Sequence, residues 1–288
     1  MSTAAAVLVL LSALTHVVVH VYIKRASNQL LFTWALWFWG CVVFLPIPLV
    51  WAHELSTASV GAILASGFAS VVYFVSMGRA YESGDLSVAY PVCRGSAPVL
   101  VLLWSVVFLH ERPSPTGLVG ILLIAVGLVV VNLPRIGAVM EAVRSMLHPS
   151  AKWAALAGLC TSAATTIDKV GVGGVHPAFY TYLVMLLTLL GMTCVICRTY
   201  GWRDMYASAL RSPQQSVLVT AFAVGTNVLL LWAMRLGAPA SYVGATREVG
   251  VIFAALAGVY LLGETAGILR IIGSIVVALG AAAIGMFG

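Results

Sequence analysis

Charged side chains are scarce in this chain. Only 8% of its 288 residues are Asp, Glu, Lys or Arg, whereas 61% are hydrophobic and the mean hydropathy is +1.05. A soluble domain is about 25% charged, so an aqueous fold could not hide this much apolar surface. The composition therefore predicts a protein that lies mostly in a lipid bilayer.

The motifs of common enzyme classes are also missing. The sequence has no nucleophile elbow, no Walker loop, no dinucleotide glycine pattern and no HExxH zinc motif. We therefore expect no catalytic residue, no metal site and no cofactor. The net charge of +6 comes from loop Lys and Arg residues, which report membrane topology and do not indicate nucleic-acid binding.

Ten apolar stretches are long enough to form membrane-crossing helices, each of which needs about 20 residues. The runs are continuous and do not alternate, so they predict helices and not barrel strands. The expected fold is an all-α polytopic membrane protein with ten transmembrane helices. The stretches are approximately 3–23, 30–52, 58–80, 86–109, 115–133, 152–169, 177–197, 216–235, 239–262 and 266–287.

A constant offset of 153 residues relates the two halves of the chain. It carries Arg94 onto Arg247 and Glu111 onto Glu264, and it also superimposes glycines of the apolar stretches. A gapless offset predicts an internal duplication. Each copy holds five spans, an odd number, so the second copy should enter the membrane inverted relative to the first.

The predicted organisation is a five-helix repeat at 1–133, a cytoplasmic linker at 134–151 and a second five-helix repeat at 152–288. The linker and the loop at 198–215 both have apolar residues at helical spacing, which predicts short helices at the inner membrane interface. Ordinary loop structure is the alternative. The distribution of Lys and Arg places both termini on the non-cytoplasmic side.

Arg94 and Arg247 each lie well inside a predicted span, and an intramembrane charge costs about 2.5–3.5 kcal/mol. They are candidate substrate-binding residues, or structural arginines bonded to helix-end carbonyls. Glu248 is the only carboxylate well inside a predicted span, and Gly95 takes its place in the first repeat. It could neutralise Arg94, take up a proton or form a structural ion pair.

Further polar and aromatic side chains are candidates for a translocation pathway. His16 and His20 lie four residues apart on one helix face. They could line a cavity, relay protons or form an interhelical hydrogen bond. Two histidines alone make a weak metal site. The other candidates are three tyrosines as aromatic walls and two polar helix residues: Tyr73, Tyr90, Tyr242, Thr165 and Asn227.

Glu111 and Glu264 lie at the ends of spans four and nine. We expect them to be structural, bonding loop amides in two equivalent helix turns. Glycines in spans five and ten predict close helix packing, with a homodimer contact left open.

The sequence at 81–98, with Tyr-Pro-Val-Cys-Arg-Gly-Ser-Ala-Pro at its end, and His-Glu-Arg-Pro at 110–113 resemble EamA-type members of the drug/metabolite transporter superfamily. The second copy, at 236–247 and 262–265, is similar. The first copy departs at His110, where the family usually has glycine.

The resemblance implies a 5+5 inverted repeat around a central cavity, with spans five and ten outside it. It also implies a bacterial inner-membrane exporter, similar to the aromatic amino acid exporters. We therefore expect a secondary transporter that exports amino acids or related small metabolites by alternating access. Its partners would be the small-molecule substrate and the lipid bilayer. Proton-coupled export of cationic drugs or quaternary amines is the alternative, and a membrane enzyme or scaffold is a minor one.

Overall fold

A computed structural model describes residues 1–51, 55–82, 86–133, 149–262 and 267–288, and every regular element in these ranges is an α-helix. Six of the helices are long and apolar enough to cross a membrane. The helices are α1 Thr3–Arg25, α2 Gln29–Val43, α3 Pro46–Trp51, α4 Thr57–Glu82, α5 Leu86–Leu109, α6 Pro115–Asn132, α7 Pro149–Gly171, α8 Pro177–Tyr200, α9 Trp202–Arg211, α10 Pro213–Arg235, α11 Ala240–Arg247, α12 Gly250–Leu262 and α13 Ile268–Phe287.

Local chemistry sets several of the helix starts. The side chains of Ser2, Asn28 and Ser114 accept hydrogen bonds from backbone N–H groups in the first turns of α1, α2 and α6. Proline is the first residue of α6, α8 and α10. Its missing N–H costs no hydrogen bond there, because the N–H groups of a helix's first turn have no partner within the helix. These starts follow from residue type alone.

The outer surface is apolar. Leu49 is 84% exposed, Phe68 72% and Leu279 58%, while hydroxyl side chains such as Ser12 and Thr220 are fully buried. This distribution is the reverse of a soluble protein's, and it fits a chain whose outside contacts lipid tails. The structure thereby confirms the prediction of an all-helical polytopic membrane protein. The count of ten spans and the inverted repeat stay predictions.

Two of the expected spans are broken. The stretch 30–52 divides where α2 ends at Val43 and α3 begins at Pro46. The stretch 239–262 divides between Arg247 and Gly250, where the backbone changes to tighter bonds between residues three apart, such as Glu248 N–H to Ala245 O at 3.0 Å. Hydropathy could not reveal this second break because the sequence stays apolar on both sides.

The loop at 198–215 contains the expected short helix, α9. Met205 and Ala209 are buried against α2, and the indole of Trp39 donates to Ala209 O at 2.9 Å. Trp202 and Tyr206 are exposed on the opposite side. The other expected interface helix lies in the linker, whose residues 134–148 are outside the described residues; the linker's last residues belong to α7.

Glycines join α6 to α13. A Cβ added to Gly120 would lie 2.7 Å from Gly280 O, and one added to Gly127 would lie 2.9 Å from Gly273 O. Early residues of α6 therefore meet late residues of α13, so the two helices are antiparallel and nearly in backbone contact. These glycine faces are used within the chain, so a homodimer would have to use another surface.

Gly273→Ala should lower the free energy of unfolding by about 1–3 kcal/mol, because its Cβ would lie 2.5 Å from the backbone nitrogen of Val131. Gly285→Ala is the matched control on the same helix, since a Cβ there meets nothing within 4 Å. Denaturation in detergent micelles measures both variants. Equal stability of the two would contradict this account of the α6–α13 contact.

His110 has a left-handed backbone, with φ of 54° directly after the last residue of α5. Glycine occupies the equivalent position, 263, in the second copy of the sequence. His110→Gly should therefore raise the free energy of unfolding by about 1 kcal/mol, because glycine adopts this conformation without a steric penalty. Gly237→Ala, at φ of 93°, should lower it. Thermal unfolding midpoints that shift in the opposite directions would contradict this interpretation.

Candidate functional site

A cavity of about 210 Å³ lies among helices of both halves of the chain. It extends from Ile23 and Thr33, near the passage from α1 to α2, to Asp168 and Tyr180 at its other end. Seven of the residues singled out in the sequence line it. They are His16, His20, Tyr73, Thr165, Asn227, Arg247 and Glu248.

A basic cluster connects α1 to the break after α11. The imidazole nitrogens of His16 and His20 are 2.8 Å apart, as their spacing of one helix turn allows. A guanidinium nitrogen of Arg247 lies 3.4 Å from Nε2 of His16. Among the described residues no group of three His, Cys, Asp or Glu side chains could hold a metal ion.

The helix break places two opposite charges at the cavity. Arg247 is the last residue of α11, and Glu248 caps it with a backbone N–H that bonds to Ala245 O. Both residues line the cavity at the point where α11 ends.

Asp168 forms an acidic centre at the end of the cavity. Its Oδ1 accepts hydrogen bonds from the Ser66 hydroxyl at 2.5 Å and from the Tyr180 hydroxyl at 2.8 Å. Gly171 permits this arrangement, since a side chain there would collide with the Tyr180 ring. The Arg247 guanidinium is near enough to act electrostatically on the carboxylate.

Sequence reasoning gave Asp168 too little weight. The predicted span six ended at residue 169, so Asp168 and the following Lys169 fell at the predicted membrane edge. Glu248 was therefore the only carboxylate predicted to lie well inside a span. The helix continues to Gly171, and Asp168 lines the cavity. Its spacing from Thr165 on one helix face was the available signal.

Aromatic side chains form one wall of the cavity. The rings of Tyr73 and Phe74 are 5.0 Å apart, and those of Phe74 and Trp37 are 5.7 Å apart, both edge to face. All three residues line the cavity. Of these three, only Tyr73 was a candidate from the sequence. Such rings suit the apolar part of a ligand whose polar groups lie elsewhere.

Thr165 and Asn227 present oxygen acceptors. The Thr165 hydroxyl donates to Thr161 O at 2.9 Å, and the Asn227 amide nitrogen donates to Ala223 O at 3.0 Å. Since the Thr165 donor bonds within its own helix, its oxygen lone pairs are left for a ligand, and Asn227 has its amide oxygen and a second N–H left.

Tyr242 corrects an expectation, because it does not belong to the cavity lining. It is 3% exposed and packs among α6, α11 and α13, and its hydroxyl accepts from Ser114 N at 2.8 Å. Five helix positions separate it from Arg247, a rotation of about 140°. The predictions for Tyr90, Arg94 and Glu264 fall on side chains outside the described ones.

Glu111 links the two halves of the chain. Its carboxylate accepts from Ala240 N at 2.6 Å, Ser241 N at 3.2 Å and the Ser241 hydroxyl at 2.6 Å. Pro239, the residue before α11, makes no side-chain cap, so Glu111 supplies it from the other half. The amides it binds thus belong to a distant helix start and not to its own turn.

More hydrogen bonds surround Glu111 at the same end of the molecule. The Lys169 ammonium donates to Met234 O at 2.5 Å and to Ala238 O at 2.9 Å. The Ser59 hydroxyl donates to Gly171 O at 3.3 Å, and the amino group of Met1 donates to Gly288 O at 2.6 Å. This end, beyond Asp168, is therefore closed by polar contacts, several of which join the two halves.

Comparisons with known proteins agree with this architecture. One solved structure, titled only "Crystal structure of protein", covers 98% of this chain and 95% of its own, with a TM-score of 0.67 and 16% identity. That likeness shows the fold alone. No curated protein matches the sequence.

Residues 3–133 match the model of the EamA-like transporter family, a domain of the drug/metabolite transporter superfamily. This is a family of membrane transporters, which fits a protein that is not an enzyme. A transporter family implies a small-molecule substrate and a lipid bilayer, and the apolar surface of this chain agrees with the bilayer. Residues 3–133, slightly less than half of the chain, are therefore similar to the EamA-like transporter family.

Proposed function

We propose that the protein is a secondary transporter of a bacterial inner membrane that exports amino acids or related small metabolites by alternating access. The observation that carries the proposal is a single cavity with a basic group, Arg247, and a carboxylate, Asp168, beside an aromatic wall. An amino acid has the complementary parts: a carboxylate, an ammonium group and, in the aromatic members, a ring.

The size of the cavity favours a metabolite over a drug. Its volume of about 210 Å³ is below the roughly 300–1,000 Å³ of pockets that hold drug-sized ligands. The aromatic and amide side chains around it could orient a small polar molecule without enclosing a large one. The sequence reason for the size is the number of bulky residues on α2 and α4, among them Trp37 and Phe74.

Contacts between helices support an inverted 5+5 repeat with ten spans. The offset of 153 carries Gly120 onto Gly273 and Gly127 onto Gly280. The offset therefore maps the Gly120–Gly280 pair onto the Gly273–Gly127 pair, and both pairs are in contact. The antiparallel direction of α6 and α13 fits a twofold axis in the membrane plane.

The same symmetry supports alternating access. The end that contains Glu111 is closed, while the cavity reaches toward the α1–α2 passage. With both termini on the non-cytoplasmic side, as the positive-inside rule predicts, this conformation faces the cytoplasm. In the opposite conformation the other end of the molecule would be closed by contacts of the second copy. Arg94 would then hold the position equivalent to that of Arg247.

A binding panel tests the proposed function. Labelled phenylalanine should bind the purified protein saturably and compete with other amino acids, whereas benzyltrimethylammonium should compete weakly. Binding by none of the twenty amino acids would refute the proposed substrate class.

A second candidate, proton-coupled export of cationic drugs or quaternary amines, has one observation in its favour. Two carboxylates, Asp168 and Glu248, line the cavity. Tight binding of benzyltrimethylammonium, weakened at low pH and absent in Glu248→Gln, would favour this candidate over amino acid export.

A further inference from the structure

The two oxygens of the Asp168 carboxylate differ in their hydrogen bonds. Ser66 and Tyr180 both donate to Oδ1, at 2.5 and 2.8 Å, and no described residue donates to Oδ2. A carboxylate can accept about four hydrogen bonds. Half of this capacity is used to hold the group in place, and the other half is left at the cavity that Asp168 lines.

The nearest lysine does not neutralise Asp168. Lys169 is its chain neighbour, but its ammonium bonds to Met234 O and Ala238 O at the closed end of the molecule. The charge of the Arg247 guanidinium acts on Asp168 from within the same cavity. Oδ2 of Asp168 therefore has no donor among the described residues and lies at a small cavity.

We propose that Asp168 binds the ammonium group of the exported substrate through Oδ2. The inference rests on the proposed function and specifies its substrate class as molecules with a primary ammonium group. Ser66 and Tyr180 act as positioning residues, because they hold Oδ1 and fix the direction of Oδ2. Arg247, which lines the same cavity, takes the substrate carboxylate.

The oxygens around Asp168 suit a primary ammonium group. Such a group has three N–H donors and needs three acceptors. Thr165 lies one helix turn before Asp168, and Asn227 lines the same cavity; both have oxygen lone pairs, the Thr165 hydroxyl has used its donor and the Asn227 amide has used one of its two. A quaternary ammonium group has no N–H and would leave these acceptors unsatisfied, so it should bind more weakly.

The first test needs only the wild-type protein. Phenylalanine should bind at least about 100-fold more tightly than 3-phenyllactate, in which a hydroxyl replaces the ammonium group, because the site would lose a charge-assisted partner. Equal affinity for the two compounds would overturn the assignment of Asp168, whatever happens to any variant.

The second test is Asp168→Asn, which keeps the shape of the side chain and removes its charge. Phenylalanine affinity should fall about 100-fold, while 3-phenyllactate affinity should stay within about threefold of wild type. Asp204→Asn is the control, because Asp204 is an exposed carboxylate on α9. Unchanged phenylalanine affinity, even with an altered dependence of transport on pH, would overturn the proposal.

Phenethylamine, which has the ammonium group but no carboxylate, separates this proposal from the proposed function. Suppose that wild type binds phenethylamine and no amino acid, and that Asp168→Asn binds neither. That result would support the ammonium site and refute amino acid export. If wild type binds amino acids and Asp168→Asn binds them equally well, the result would support amino acid export and refute the ammonium site.

Discussion

Arg247→Met reduces phenylalanine exchange across liposome membranes by at least about 100-fold, if Arg247 binds the substrate carboxylate. The guanidinium lines the cavity beside His16, and a carboxylate that loses a partner of this kind typically loses 2–5 kcal/mol of binding energy. Methionine keeps much of the length of the side chain and removes the charge. The loss of phenylalanine exchange should therefore come from weaker binding of the substrate carboxylate and not from a cavity left by the substitution.

Phenethylamine distinguishes recognition from general damage to Arg247→Met. Because it has no carboxylate, its affinity should change by less than about threefold, whereas phenylalanine affinity should fall steeply. Arg203→Met is the matched control, since Arg203 is exposed on α9. Wild-type exchange in Arg247→Met would remove this arginine from the transport site, and equal losses for both ligands would indicate a structural role.

Glu111→Gln should open the closed end of the molecule. The change removes the negative charge from three hydrogen bonds at the start of α11, and bonds to charged groups contribute about 1.5–3 kcal/mol. A shift of that size changes the ratio of closed to open molecules by about tenfold or more. Glu111 would then be a gate between the halves in addition to its structural role.

A cysteine at position 238 measures this opening. Ala238 is 3% exposed and accepts a hydrogen bond from Lys169 at the closed end. In a background without the five native cysteines, Ala238→Cys should react slowly with a polar thiol reagent, and at least about tenfold faster when combined with Glu111→Gln. Asp204→Asn should leave the rate unchanged. Equal rates with and without Glu111 would refute the gate.

Hydropathy predicted most of the long helices. The apolar runs gave α1, α4, α6, α8, α10 and α13 close to their observed bounds, because lipid requires long apolar helices. The glycines predicted that α6 and α13 each pack closely against a neighbour, and the structure shows that they pack against each other. The unusual His110 also had a signal, since the resembling family has glycine at a position that the structure finds left-handed.

The site was less accessible from the sequence. Seven candidates line the cavity, yet the break at Glu248 depends on tertiary packing that no window of hydropathy contains. Tyr242 looked like a wall residue, but helix rotation turns it toward α6 and α13. Asp168 was left out of the predicted site because it lies one residue before the predicted end of span six at 169.

Substrate counterflow tests the central claim most directly. Purified protein is placed in liposomes loaded with unlabelled phenylalanine, which are then diluted into a trace of the labelled amino acid. A transporter that alternates around the cavity should accumulate label transiently, several-fold above equilibrium, and Arg247→Met and Asp168→Asn should abolish the overshoot. No overshoot with any amino acid, together with exchange of a quaternary amine, would contradict the account.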